Sequence, residues 1–196
     1  MNSFFAMMSR MKYIDRWALM RNSRKENLSE HSLEVSMIAH ALAVIGNREL
    51  NKNLNAEKAA VLGMYHDATE IITGDMPTPV KYYNAQIKTT YKDIEKQASQ
   101  TLISMLPKSM RDAYVEIFVK QEEDAYLWKL VKAADKLSAY IKCIEEEQAG
   151  NREFIKAKEM ALNHIHKMEV KEAELFLTYF MESYGRNLDE LTGGEA

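Results

Sequence analysis

Apolar residues recur along this chain at intervals of three and four, and strand-type alternation is scarce, so the pattern predicts helices almost throughout. The first strong run begins near Asn27 or Ser29. Asn27 and Glu30 stand in capping-box relation, and Leu33, Met37, Ala41 and Val44 mark a stripe with helical spacing. A second run starts from an Asn55 cap before Ala56 and Glu57. It passes through Ala60, Leu62, Met64 and Ala68 to about Thr73, where Gly74 ends it. A third spans about 122–149, with Leu127, Leu130, Val131, Ala134, Leu137 and Ile141 on one face and Gly150 and Asn151 closing it. Two more helices fill the gaps, over about 81–106 before Pro107 and about 152–184 before Gly185. The stretch YVEIFV, 114–119, has strand character but no partner, and reads as helix or connector.

No linker rich in Pro, Gly or Ser divides the chain and no repeat period shows, so the expectation is one all-α domain, a helical bundle over 1–190. Residues 191–196, LTGGEA, are expected to fray. A chain of 196 residues can bury a core without metal or disulfide support. Its single cysteine, Cys143, excludes an intramolecular disulfide and fits a reducing compartment, which makes the cytoplasm the expected address.

Arg10 and Lys12 interrupt the apolar N-terminus too early for a signal peptide. No apolar stretch approaches the ~20 residues a membrane span requires. A net charge of −3 argues against a nucleic-acid binder. Basic residues do collect locally: Arg10, Lys12, Arg16, Arg21, Arg24 and Lys25 face only Asp15, as an anion-binding end or as a solvated face.

The candidate chemistry lies in LGMYHDATEIITGDMPTP, residues 62–79. On a continuous helix His66, Asp67 and Glu70 would reach one side, and grouped ionisable side chains need a partner such as a divalent cation. His31 in ENLSEHSLEV and Asp135 in KAADKLSAY extend the set. Asp135 interrupts an apolar face, where a carboxylate requires a cation or several donors.

The order of His31, His66 with Asp67, and Asp135 resembles the signature of the HD-domain metal-dependent phosphohydrolases. IDRWALMRN, NLSEHSLEV, MYHDATEIITGDMPTPVKYYN and VKAADKLSAYIKCIEE are similar to one branch, the bacterial 5'-deoxynucleotidases, over nearly the full length. Met76 departs from the leucine expected there. The resemblance implies an HD-type helical fold and one divalent cation (Mn, Co, Mg or Zn) on His31, His66, Asp67 and Asp135, a donor set suited to a borderline metal with positions left open. It implies a deoxyribonucleoside 5'-monophosphate substrate contacted by Arg16, Trp17, Asp67, Asp75, Met76, Pro77 and Thr78, and a homodimer.

Within that frame Glu70 is the expected proton-transfer group. Arg16 offers the guanidinium fork for phosphate. Trp17 serves as a nucleoside wall or as ordinary core, and Asp75 binds the sugar 3'-hydroxyl or caps the following helix. Tyr82, Tyr83 and Tyr91 read as helix packing, and His40, His164 and His166 stand outside the motif. Two alternatives stay open: a hydrolase of another phosphoester, and a non-catalytic module that binds metal and nucleotide.

Overall fold

The computed structural model describes residues 2–81 and 83–193, Thr78 by its backbone alone, and every regular element among them is helical. Helix α1, Phe4–Met8, runs into a 3-10 turn at Ser9–Tyr13. The loop that follows is tied to the start of the next helix by an isolated antiparallel bridge between Asp15 and Asn27.

Helix α2, Leu28–Glu49, opens with the expected capping box: Asn27 Oδ1 accepts from the Ser29 and Glu30 amides while Glu30 accepts from the Asn27 amide. Its buried face is not the expected stripe. Leu33, Met37 and Val44 are 57%, 58% and 38% exposed, and Leu28, His31, Ser32, Val35, Ala39, Leu42 and Ala43 point inward. The reason is close packing. Small residues at Ser36 and Gly63 let the backbones of α2 and α3 (Ala56–Tyr65) nearly touch, and a count of apolar side chains does not register that.

Helix α3 has its Asn55 cap, but the predicted run to Thr73 breaks after Tyr65. The His66 ring Nδ1 donates to the Gly63 carbonyl at 2.7 Å, the acceptor a continuing helix would offer to the Asp67 amide. Tighter bonds replace it, Ala68 N to Tyr65 O and Glu70 N to Asp67 O, before one further turn, α4, Glu70–Thr73. Gly74, at φ 71°, ends it.

Another single turn, α5, Thr78–Lys81, precedes α6, Ala85–Ser104. The expected helix from about 81 thus starts later, because the Asn84 side chain caps it by accepting from the Ile87 amide. Helix α7, Arg111–Phe118, absorbs the YVEIFV stretch as helix.

The central helix α8, Ala125–Gln148, buries Leu127, Leu130, Val131, Ala134, Leu137 and Ile141 as its periodicity predicts. The predicted helix over 152–184 is two, α9, Ile155–Lys167, and α10, Lys171–Phe180. Unbroken, it would extend about 50 Å, past the end of α8. Instead Glu169 adopts φ 51° and folds α10 back so that Ala173 and Phe176 join the core. A last turn, α11, Leu188–Leu191, carries its own capping box, and 194–196 of the expected frayed tail lie outside the described residues.

The main core lies between α2, α3, α8, α9 and α10, and a smaller cluster of Phe4, Leu102 and Leu106 fastens α1 to α6. Among the described residues no helix is long and apolar enough to cross a membrane.

Candidate metal centre

Three helices converge where the main core meets the helix break after α3. His31 lies in the first turn of α2, His66 and Asp67 just beyond α3, and Asp135 halfway along α8. One ligand atom from each lies within 4.8 Å of all the others. His31 Nε2 is 3.3 Å from Asp135 Oδ1 and 3.6 Å from Asp67 Oδ2, and His66 Nε2 is 3.0 Å from Asp67 Oδ2.

Neither Nε2 has a properly directed hydrogen-bond partner although both are buried, which is how two imidazoles aimed at a shared cation would stand. The outward-facing ring atoms, by contrast, are occupied. His66 Nδ1 donates to Gly63 O, and His31 Nδ1 lies 3.0 Å from Ser138 Oγ, which donates to Glu34 Oε2 at 2.5 Å.

The charges suit the same reading. Burial alone would raise Asp67, yet the charge of His66 and the nearness of both rings hold it well below the usual carboxylate range. Burial is likewise outweighed at Asp135, by Lys136 and His31, so its carboxyl is also held low. Burial would depress His66, but Asp67 and Asp135 raise it. Two carboxylates and two imidazoles form a donor set for a divalent metal, and these residues fit one.

Glu70 opens α4 beside them and is only 5% exposed. Burial first, then the charges of Asp67 and Asp75, push its carboxyl up to about 9 against the pull of Arg16 and Lys81. Its Oε2 has no hydrogen-bond partner. The three-and-four spacing on a continuous helix does not place it, since the helix is broken between His66 and Glu70; the turn through Asp67 O does.

Arg16 approaches from the loop before α2. Its Nε donates to Glu26 Oε2 at 3.0 Å and its backbone amide to Glu26 O at 2.9 Å, leaving Nη1 3.7 Å from Asp67 Oδ2. Burial disfavours its charge, but Asp135, Glu26, Asp67 and Asp75 hold it protonated. Trp17 shares the same anchor, its Nε1 donating to Glu26 Oε2 at 3.0 Å while its ring lies 5.4 Å from that of Phe154. Its φ of 57° is a strained setting for a bulky residue, kept in place by the Asn22 amide on its carbonyl.

Asp75, Met76 and Pro77 are half-buried between α4 and α5, and the Asp75 charge is felt at both Arg16 and Glu70. The long helix that follows takes its cap from Asn84. The Thr78 side chain and all of Tyr82 lie outside the described residues. Tyr91 is buried beneath Lys81, and Tyr83 is exposed. His40 and His164 are exposed and His166 pairs with Glu174, all outside the cluster.

Pattern reading missed Glu26, Glu34, Ser138 and Glu146. Glu146 accepts from the Ser23 and Arg24 amides and fastens the Arg16 loop to α8. Two had a usable signal: Glu34 follows His31 by three and Ser138 follows Asp135 by three, so each shares a face with a ligand.

A family model described as 5'-deoxynucleotidase YfbR-like matches residues 3–184. A 5'-deoxynucleotidase of Yersinia pseudotuberculosis serotype I (strain IP32953) is 52% identical over 196 residues, covering 98% of each chain. One from Enterobacter sp. (strain 638) is 50% identical over 189 residues, 96% of this chain and 95% of its own. Among solved structures, an HD-domain phosphohydrolase from Listeria innocua superposes with a TM-score of 0.79 at 22% identity, over 93% of this chain and 88% of its own. A cyanophage S-2L HD phosphohydrolase bound to dA and one catalytic Zn2+ ion gives 0.64 at 15% identity, over 93% and 96%. At these identities the two structures establish the fold.

Proposed function

The chain belongs to the YfbR-like 5'-deoxynucleotidase family, and from that premise we propose that it releases phosphate from deoxyribonucleoside 5'-monophosphates, with one divalent cation held by His31, His66, Asp67 and Asp135. The observation that carries the reading is the pair of buried, unpartnered Nε2 atoms converging on two low-pKa carboxylates. A cation bound there would lower the pKa of a coordinated water and draw charge from a phosphoryl oxygen. Zn2+ in the cyanophage enzyme is one precedent, and the donor set equally admits Mn, Co or Mg.

The chain supplies the rest. Arg16, with Nε tied to Glu26, keeps its terminal nitrogens for phosphate oxygens. In the metal-free protein burial and two neighbouring carboxylates keep Glu70 protonated; at the loaded centre it would give a proton to the departing 5'-oxygen as the P–O bond breaks and the water oxygen bonds to phosphorus, the water's proton taking its place on the carboxyl. Trp17, Asp67 and the 75–78 segment complete the nucleotide contacts, and Pro77 within that segment and Pro79 just after it stiffen it against the sugar.

A second copy of the chain is part of the proposal. The stripe of Leu33, Met37 and Val44 left outward on α2, with Val61 and Met64 exposed on the adjoining α3, gives an apolar face for it. We place the enzyme in the cytoplasm, where buried Cys143 stays reduced.

The test is phosphate release by chelator-stripped protein with each metal added back, using deoxyribonucleoside 5'-monophosphates against matched ribonucleotides, 3'-monophosphates and triphosphates. Metal-dependent release confined to the deoxy 5'-monophosphates is expected, and Glu70→Ala should keep the metal and lose the rate. Equal release from ribonucleotides overturns the sugar preference, and no release with any metal leaves the binding module as the better account.

A further inference from the structure

His31 Nδ1, Ser138 Oγ and Glu34 Oε2 form a line of three polar atoms, 3.0 and 2.5 Å apart, in which His31 and Ser138 are fully buried. The Ser138 hydroxyl carries a single proton, and a carboxylate accepts without donating. The short contact pairs that hydroxyl, as donor, with Glu34 Oε2, although burial pushes the Glu34 carboxyl up. Only a lone pair of Oγ then faces the ring, so His31 Nδ1 must be the donor, and in the neutral ring Nε2 is then bare. His31 and Ser138 are both fully buried, so bulk solvent does not compete for this bond.

We infer that Ser138 and Glu34 are positioning residues that fix His31 in the tautomer with a free Nε2 and thereby set the affinity of the centre for its cation. The inference rests on the reading of His31 as a ligand. His66 obtains the same tautomer from the Gly63 carbonyl, so the two rings are fixed by different devices and only the one at His31 is open to side-chain substitution. Glu34 is half-buried and lines a surface cleft with Arg24, Lys25, Glu30 and Lys142, so the line runs from that cleft to the buried ring.

The direct test is long-range 1H–15N NMR of the histidine rings in metal-free protein, together with Zn2+ affinity by competition with a chromophoric chelator. The wild type should show His31 protonated at Nδ1. Ser138→Ala should lose that preference and bind Zn2+ about 10- to 100-fold more weakly. Glu34→Ala, at a half-buried position that tolerates truncation, frees the hydroxyl to turn toward the ring, so the Nε2–H form should grow and affinity should fall similarly.

An Nε2–H signal in the wild type, or unchanged Zn2+ affinity in both variants, overturns the inference. A wild type that binds no cation while showing the Nδ1–H ring and losing it in the variants keeps the tautomer assignment and overturns the metal reading instead.

Discussion

Half of the centre is built on long, regular helices and half on a chain that has just stopped being one. His31 and Asp135 stand inside α2 and α8, and the side chains one turn beyond them, Glu34 and Ser138, both serve His31. His66, Asp67, Glu70 and Asp75 hang on turns between α3 and α5, fixed mainly by backbone groups such as the Gly63 carbonyl and the positive φ of Gly74. The regular half holds its charges in compensated pairs, whereas the broken half carries a carboxyl, Glu70, that burial and two neighbours keep protonated. Rigid helices thus supply two of the proposed ligands, and the interruption supplies the other two together with the group proposed to change protonation during turnover.

Removing one carboxylate from each half tests that division most severely. Asp67→Ala and Asp135→Ala should each lower kcat/KM by more than about a thousandfold and leave the protein free of metal. The two should differ in stability. Both carboxylates face cationic partners, Asp135 facing Lys136 and His31 and Asp67 facing Arg16 and both rings, but Asp135 is fixed inside a packed helix while Asp67 lies on a turn that can adjust. A melting comparison of metal-free proteins in which Asp67→Ala is the less stable of the two would break the comparison.

The next effect acts at the seam. A β-carbon at Gly63 would lie 2.9 Å from the Ser36 Cα and 3.1 Å from the Val35 carbonyl, backbone atoms that cannot turn aside. Gly63→Ala should therefore cost about 1 to 3 kcal/mol of stability. Calorimetry should register this as a fall in Tm of about 3 to 10 °C. Because the same residue's carbonyl orients His66, metal affinity should weaken with it. Retained affinity at reduced Tm would show that the ring does not depend on that bond.

The two halves also differ in how far the sequence discloses them. Asp135 is visible because a carboxylate interrupts an apolar face, and the buried face of α8 follows from period alone. The capping box at Asn27 fixes where α2 starts, but not which face is buried: small residues pack closest to α3 and leave Leu33 and Met37 outside. The break after Tyr65 has no Pro or Gly at the break itself. A histidine ring competing for a backbone carbonyl causes it, and that is a three-dimensional event. The division of 152–184 is hidden for a similar reason, since Glu169 takes up a left-handed turn that its residue type does not announce. Glu26, ten residues beyond Arg16 at the head of ENLSEHSLEV, carries no spacing signal of its own and is found only through the bonds it accepts.

The narrowest effect, confined to one pH window in the metal-free protein, concerns the protonated carboxyl itself. Glu70 folds with its pKa pushed up to about 9, while an unfolded glutamate titrates near its ordinary value of 4.5. Between those limits the native state holds a proton that the unfolded chain has lost, so this residue makes stability fall as pH rises through the window. Glu70→Gln removes the dependence. In metal-free protein the variant should melt close to wild type at pH 5 and progressively above it toward pH 9. Asp67 and Asp135 do not contribute in that range, because carboxylates held low lose their stabilising effect only in acid. His66, raised by Asp67 and Asp135 against its burial, adds a fall of the same sign near neutrality, but it does so in both proteins and leaves the difference between them to Glu70. A bound dication beside the carboxyl favours its ionised form, so adding metal should narrow the gap. Parallel melting curves across pH 5 to 9 would mean that Glu70 ionises normally and cannot be the proton source.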